Sequence, residues 1–276
     1  MPSPPAPRMG EPSRDLHGRA VDYLGRLIAS GSLAPGTVLS IDRLEASLDV
    51  SRSVIREAIR VLEAKGMVES RRRVGVTVRP RASWQVYDPH LIRWRLDGDE
   101  RLAQLRSLSE LRQGIEPVAA ALAAGRATPE QCGALTGAVM AMAVHGRGGD
   151  LLAYLEADQV FHTTLLEASG NEMLAALSGL VGEVLSGRTH HGLMPSAPNP
   201  VAIRLHADVA QAVQVRDGVA AEHAMRQIVA EATEAMLGET AVRGPGPALT
   251  GPPAAEPSGI PLAAVAPSRK RVPEQP

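Results

Sequence analysis

The sequence has almost none of the features that distinguish secreted and membrane proteins. Its single cysteine, Cys132, excludes an intrachain disulfide framework and is typical of a reducing compartment. No apolar run approaches the roughly 20 residues of a membrane-spanning helix, and residues 1–13 lack the apolar core of a secretory signal. These absences predict a cytoplasmic protein with no membrane partner.

Charge is nearly balanced over the whole chain, with a formal net charge of -1, but its distribution is uneven. Residues 14–81 contain 13 Lys and Arg against 8 Asp and Glu, whereas residues 99–238 contain 9 against 16. Only the basic part suits binding to phosphate. We therefore divide the chain into a basic domain over residues 14–80 and an acidic domain over residues 99–238.

The remaining segments are predicted to be a linker and two tails. The linker, residues 81–98, contains Trp84, Tyr87 and Trp94, half of the six aromatic residues of the chain, which should dock it against one of the domains. Residues 1–13 and the Pro-rich residues 239–276 have the composition of disordered tails.

Two short amphipathic helices in the basic part have the spacing of a helix-turn-helix. Ser40 caps the first, and Ser51 caps the second, which ends at Gly66. One face of the second helix is an apolar stripe of Ile55, Ala58, Ile59 and Leu62. The opposite face carries Arg52, Arg56 and Arg60. Residues 67–70 and 75–78 follow as strands joined by a basic turn, a hairpin that can lie along a phosphate backbone.

Arginines on an isolated helix could form nothing more than a solvated face. The order of helix, turn, arginine-rich helix and basic hairpin favours a winged helix-turn-helix that binds DNA. Beyond residue 98 the periodicity is helical and predicts six helices and no strand, over residues 99–124, 128–145, 150–169, 171–190, 200–216 and 218–238. The predicted fold class is thus mainly α, an N-terminal winged helix-turn-helix plus a C-terminal all-helical antiparallel bundle.

Polar residues interrupt the inward stripes of three bundle helices. Asp158 and His162 lie four residues apart on the third helix, and His206 lies on the stripe of the fifth. Such groups need a partner in an apolar core, and a divalent metal such as Zn, Ni or Mn would be one. A simple buried Asp–His pair is the alternative.

Arg112 and Glu116 also lie on an inward stripe, that of the first bundle helix. The guanidinium fork of Arg112 suits the carboxylate of an anionic effector, with Arg188 and His190 as further candidates for the same pocket. Arg112 and Glu116 could instead pair only with each other. The metal-type residues and the inward arginine together favour a ligand site in the bundle core.

These residues resemble the GntR family of bacterial transcription regulators, in its FadR-like branch with an all-helical FCD effector domain. The resemblance covers residues 14–238 and is carried by residues 48–68, 110–112, 158, 161–162, 206 and 217. It implies a homodimer on palindromic double-stranded operator DNA, released or rearranged by a small carboxylate effector. It also implies operator contacts by residues of the helix-turn-helix and the wing, namely Arg43, Ser51, Arg52, Ser53 and Arg56 in the helix-turn-helix and Arg72 and Gly75 in the wing.

Two positions depart from the family pattern. Gln227-Ile228 stands where many metal-binding FCD domains have a further histidine, so weaker metal affinity is expected. Arg73 stands where the wing often has glycine.

Residues 84–96 are similar to family members that control sugar-acid catabolism, of the galactonate-repressor type. The predicted function is therefore a ligand-responsive repressor of genes for a sugar acid or related carboxylate, and not an enzyme. A metal-dependent enzyme and a pure metal sensor, each fused to a DNA-binding domain, are the alternatives.

Overall fold

The structure, a computed structural model, describes residues 12–193 and 199–243. The chain divides into two units, the first ending at Asp99 and the second beginning at Glu100. Most of the two predicted tails lies outside the described residues, although the first helix begins at Pro12 and the last continues to Arg243.

The first unit combines helices with a small antiparallel sheet. Its elements are α1 (Pro12–Ala29), β1 (Val38–Leu39), α2 (Ile41–Leu48), α3 (Arg52–Ala64), β2 (Val68–Arg71), β3 (Gly75–Val78), a 3-10 helix (Arg81–Ser83) and α4 (Pro89–Leu96). The strand order is β1-β3-β2, and the β2–β3 hairpin pairs Val68 with Val78 and Arg71 with Gly75. This arrangement confirms the winged helix-turn-helix that the sequence predicts.

Local signals determine where α3 begins and ends. The Ser51 side chain accepts a hydrogen bond from the Val54 N–H at its start. Gly66 follows its end with a φ of 73°, where a Cβ atom would lie 2.1 Å from the Ser83 carbonyl oxygen. The apolar stripe from Ile55 to Leu62 is buried in the core of the unit.

Residues 81–98, predicted as a linker, are an integral part of the first unit. Trp84, Leu91 and Trp94 are buried in its core. The Trp94 Nε1–H donates to Asp22 Oδ1 on α1 at 3.0 Å. The segment therefore packs within the first unit, because its large apolar side chains complete the core of that unit.

Asp88 connects α3 to the start of α4. Its Oδ1 accepts from the Leu91 N–H at 3.1 Å, and its Oδ2 accepts from Lys65 Nζ at 2.6 Å. Burial acts to raise the pKa of Asp88, but the hydrogen bonds from Lys65 and Leu91 outweigh it and lower the pKa. A lowered pKa means that this stabilisation is present above the unfolded value of about 3.9 and is lost as pH falls through the folded value.

We expect Asp88→Ala to lower the free energy of unfolding at neutral pH by about 1 to 2 kcal/mol, because it removes a cap and leaves Lys65 without its partner. Asp88→Asn keeps the capping oxygen and should cost less. Urea denaturation at pH 7 and below pH 4 measures both losses. The loss caused by Asp88→Asn should shrink in acid, and a loss independent of pH would contradict the ion-pair contribution.

The second unit is helical throughout its described residues. It contains α5 (Arg101–Arg126), α6 (Pro129–Gly148), α7 (Leu151–Ala168), α8 (Glu172–Ala175), α9 (Ser178–His190), α10 (Pro200–Gln214) and α11 (Gly218–Arg243). Two differences from the predicted helices stand out. The helix predicted over 171–190 is broken into α8 and α9, at Ala176 and Leu177, where no proline marks the break. Leu102 shares the helical stripe of Arg112 and Glu116, which is predicted to face inward, but it is 46% exposed.

Helix packing brings the polar stripes of α5, α7 and α10 into one core. Helix α5 packs against α7 and α11, α10 packs against α5, α6 and α11, and α7 packs against α6 and α9. Phe161, Leu165, Val209 and Met225 are among the apolar side chains that fill the surrounding core. None of the described helices combines the length and apolarity needed to cross a membrane.

Candidate functional site

Three ligand-type side chains from two helices converge in the core of the second unit. Asp158 Oδ1 on α7 lies 3.3 Å from His162 Nε2 on the same helix and 3.2 Å from His206 Nε2 on α10. All three residues are buried, and one ligand atom from each lies within 4.8 Å of the others. We refer to Asp158, His162 and His206 as the ligand cluster.

Unsatisfied atoms in the ligand cluster fit a divalent cation. Among the described residues, Asp158 Oδ1, His162 Nδ1 and His206 Nε2 have no aligned hydrogen-bond partner although all three atoms are buried. The His206 Nδ1–H donates to the Ala202 carbonyl at 2.7 Å, which leaves the Nε2 lone pair available in the neutral ring. Each unpaired buried polar atom costs about 1 to 3 kcal/mol. A carboxylate oxygen and two imidazole nitrogens are donors that zinc and similar metals accept.

Arg112 and Glu116 form a buried pair that also reaches the ligand cluster. Arg112 Nε donates to Glu116 Oε1 at 2.6 Å, and its Nη2 donates to Oε2 at 3.2 Å. Glu116 Oε2 lies 2.9 Å from His162 Nδ1. Glu116 therefore pairs with the guanidinium and lies within ion-pair distance of the imidazole, which is the place of a carboxylate that orients a metal-binding histidine.

The charges of this group control its protonation. Burial acts to raise the pKa of Glu116, but the charges of Arg112 and His162 lower it to about 2. Burial acts to lower the pKa of His162, but the charge of Glu116 and the contact with Asp158 raise it to about 9. Coordination of a cation by His162 requires its neutral imidazole, so metal binding would displace a proton from this histidine.

A cavity of about 30 Å³ adjoins the ligand cluster. Besides the cluster and Arg112, its walls include Tyr154, Arg188, Asn199, Ile228 and Glu231. The volume suffices for an ion or one to two water molecules. A six-carbon acid needs more room than this cavity provides in the structure.

The further residues predicted for the effector pocket lie in different environments. Arg188 lines the cavity and is 8% exposed. Burial and the charge of Arg112 lower its pKa. His190 is exposed, donates from Nδ1 to the Ser186 carbonyl at 2.9 Å, and does not line the cavity. Ile228 on α11 lines the cavity, so an apolar side chain lies there and not the further histidine found in many metal-binding FCD domains.

Tyr154, Asn199 and Glu231 line the cavity but are absent from the predicted site. Tyr154 lies one helical turn before Asp158, and Glu231 lies one turn after Ile228, so helical spacing could have indicated both. Asn199 caps α10, and its Nδ2 donates to Glu231 Oε1 at 3.0 Å.

The residues predicted to contact DNA all belong to α2, α3 or the hairpin of the first unit. Arg52 and Arg56 are exposed on α3, and Arg52 Nη1 donates to Asp42 Oδ1 at 2.7 Å. The Ser51 and Ser53 hydroxyls, at the start of α3, lie 2.8 Å apart. Arg43 is half-buried on α2 and Arg72 is exposed in the hairpin turn, whereas Gly75 begins β3.

Arg73 occupies the left-handed region in the turn of the hairpin, with a φ of 69°. A residue with a side chain costs about 1 to 2 kcal/mol there, which explains why glycine suits the position. The exposed Arg73 side chain adds positive charge to the tip of the wing.

A winged helix-turn-helix joined to a helical unit with a buried ligand-type cluster defines a class of protein, the DNA-binding transcription regulators with a sensor domain. Within this class the chain belongs to the gntR family of bacterial regulatory proteins, which matches residues 16–78, and the FCD domain matches residues 107–231.

Relatives support this assignment along most of the chain. The galactonate operon transcriptional repressor of Escherichia coli strain K12 is 31% identical over 217 residues, 78% of this chain and 94% of that protein. The probable D-xylose utilization operon transcriptional repressor of Paenarthrobacter nicotinovorans is 29% identical, over 76% of this chain and 83% of that protein. A solved structure of Lar, which controls expression of the Listeria monocytogenes agr system, covers 84% of this chain and 99% of its own, with 17% identity and a TM-score of 0.50. At that identity the likeness concerns the fold alone.

Proposed function

We propose that this chain is an effector-responsive repressor of genes for the catabolism of a sugar acid or a related small carboxylate. The observation that carries the proposal is the cavity in the second unit, which is lined by both the ligand cluster and the buried Arg188. The name of one relative, the galactonate operon transcriptional repressor, supports a sugar acid. The name of another, the probable D-xylose utilization operon transcriptional repressor, supports sugar catabolism more broadly. The protein acts in the cytoplasm as a homodimer on palindromic operator DNA.

The proposed mechanism is a change between two arrangements of the dimer. In one, α3 and the hairpin of each protomer bind the operator. The effector favours the other, because it enters the cavity only when the surrounding helices separate, and it shifts the population by its differential affinity. A divalent metal held by Asp158, His162 and His206 would supply Lewis-acidic coordination positions for effector oxygens.

Operator release tests this proposal. An operator is first selected from a random DNA library with the full-length protein, and its affinity is measured by fluorescence anisotropy. We expect a sugar acid such as D-galactonate to weaken that affinity about 5- to 150-fold, the usual range of coupling between two sites. D-Galactose, which lacks the carboxylate, is the matched control. Specific DNA binding that no sugar acid changes would contradict the proposal.

Two alternatives give different results with the same protein. Turnover of a sugar acid by the metal-loaded protein would indicate an enzyme. Operator affinity that changes with metal alone would indicate a metal sensor.

Metal binding by the ligand cluster is a separate prediction. Wild-type protein loaded with Zn, Ni or Mn and then desalted should retain metal, and the double variant Asp158→Ala, His162→Ala should lose it, because two of three protein ligands are removed. Elemental analysis of both proteins measures the metal content. His223→Ala is the control, since His223 is exposed on α11. Unchanged metal content in the double variant would disprove this site.

A further inference from the structure

The two arginines at the cavity differ in how many of their donors are already engaged. Arg112 donates twice to Glu116, at 2.6 and 3.2 Å, so its charge and its fork are largely satisfied within the protein. Among the described residues, Arg188 has no ion pair within 4.0 Å, and its buried Nε has no hydrogen-bond partner. An arginine that is nine-tenths buried and lacks an ion pair can bind an anion that enters beside it.

Glu231 places a negative charge on the same cavity wall. Its Oε1 accepts from Asn199 Nδ2 at 3.0 Å. In the part of the chain that the structure describes, no cation lies within 4.0 Å of this carboxylate, although its charge acts on Arg188 and Tyr154. A carboxylate that keeps accepting capacity can bind ligand hydroxyl groups. The same charge repels a second carboxylate of a ligand, since like charges brought together cost several kcal/mol.

We propose, on the basis of the function proposed above, that Arg188 binds the carboxylate of the effector while Glu231 accepts hydrogen bonds from its hydroxyl groups. The site then selects hydroxylated monocarboxylates and rejects the corresponding dicarboxylates. Arg112, in contrast, is a positioning residue, because Glu116 occupies its fork. Selectivity of this kind comes from a repulsive group as much as from attractive ones.

Two pairs of probes isolate the repulsive contribution. D-Gluconate and D-glucarate share one carbon skeleton and differ in whether C6 is a hydroxymethyl group or a carboxylate, and D-galactonate and galactarate form a second such pair. Isothermal titration of the metal-loaded, full-length protein gives the affinity for each. In at least one pair we expect the monocarboxylate to bind at least about tenfold more tightly than its dicarboxylate.

Glu231→Gln keeps the side-chain length and an oxygen for Asn199 but removes the charge. It should reduce the preference for the monocarboxylate about tenfold or more, whereas Glu234→Gln, at an exposed position on the same helix, should leave it unchanged. Arg188→Gln should weaken both members of a pair at least about tenfold. Circular dichroism melting confirms that each variant is folded.

The outcomes separate two kinds of failure. If wild type binds the acids and releases DNA but Glu231→Gln leaves the preference unchanged, the selectivity proposal is wrong and the regulatory function stands. Tight binding to the folded Arg188→Gln variant would overturn the role of Arg188. If no acid binds wild type, both the selectivity and the proposed effector class fail.

Discussion

Replacing Arg52 and Arg56 together by alanine is expected to reduce operator affinity at least about 100-fold, because an arginine that contacts a base edge contributes about 1 to 3 kcal/mol. Both side chains are exposed on α3 and lie outside the core of the unit. Arg52 forms an ion pair with Asp42. An exposed ion pair of this kind contributes at most about 1 kcal/mol to the free energy of unfolding. The free energy of unfolding should therefore change little.

Anisotropy titrations of the selected operator at several salt concentrations measure this effect. The double variant should also show a smaller dependence of affinity on salt if either arginine neutralises a phosphate. Arg106→Ala with Arg226→Ala is the matched control, since it removes the same charge from exposed positions of the second unit. Specific binding retained by the α3 variant would contradict its assignment as the recognition helix.

The recognition helix could be predicted from the sequence because its signals are local. Ser51, the stripe from Ile55 to Leu62, and Gly66 lie within one continuous segment, and each acts on the backbone beside it. The hairpin could be predicted for the same reason, because the alternating apolar and polar residues of its strands and its basic turn lie in one continuous segment. Strand β1, only two residues long, has no periodicity of its own and forms by pairing with β3.

The position of residues 81–98 depends on contacts that are distant in sequence. Trp94 on α4 donates to Asp22, and Lys65 reaches Asp88. The composition of this segment indicates docking, but the choice of unit depends on whether its aromatic rings fit the surface left by α1 and α3. The hydrophobic periodicity of the sequence cannot predict how well these rings fit that surface.

The polar core could be predicted only in part. The spacing of Asp158 and His162 places them on one helical face, and the stripe of α10 adds His206. The same spacing leaves the role of Arg112 open, because a guanidinium one turn before a carboxylate can bind that carboxylate or a ligand. Its two hydrogen bonds to Glu116 favour the first reading. Helical spacing from Ile228 reaches Glu231, but in the sequence a charged residue on a half-buried helix resembles a solvated one.

Arg112→Ala is expected to lower the free energy of unfolding of the helical unit by about 3 to 5 kcal/mol, because it leaves the buried Glu116 without its cation. Glu116→Ala should cost a similar amount by isolating Arg112. Replacing both, with Arg112→Met and Glu116→Leu, removes the charges together and fills much of the space. Replacing a buried ion pair by apolar residues of similar volume often leaves the free energy of unfolding unchanged or raises it. The double variant should therefore recover most of the stability that either single variant loses.

Metal affinity should not recover in the same double variant. His162 Nδ1 loses the carboxylate that lies 2.9 Å away, and loss of such an orienting partner lowers metal affinity about 10- to 100-fold. Urea denaturation and competition titration with zinc measure the two quantities separately. Recovery of both would mean that Glu116 has no part in orienting His162, whereas recovery of stability alone supports a pair that positions the ligand cluster. Because Arg188 is left intact, we expect this double variant to keep anion binding if Arg188 is the anion-binding arginine, as proposed above.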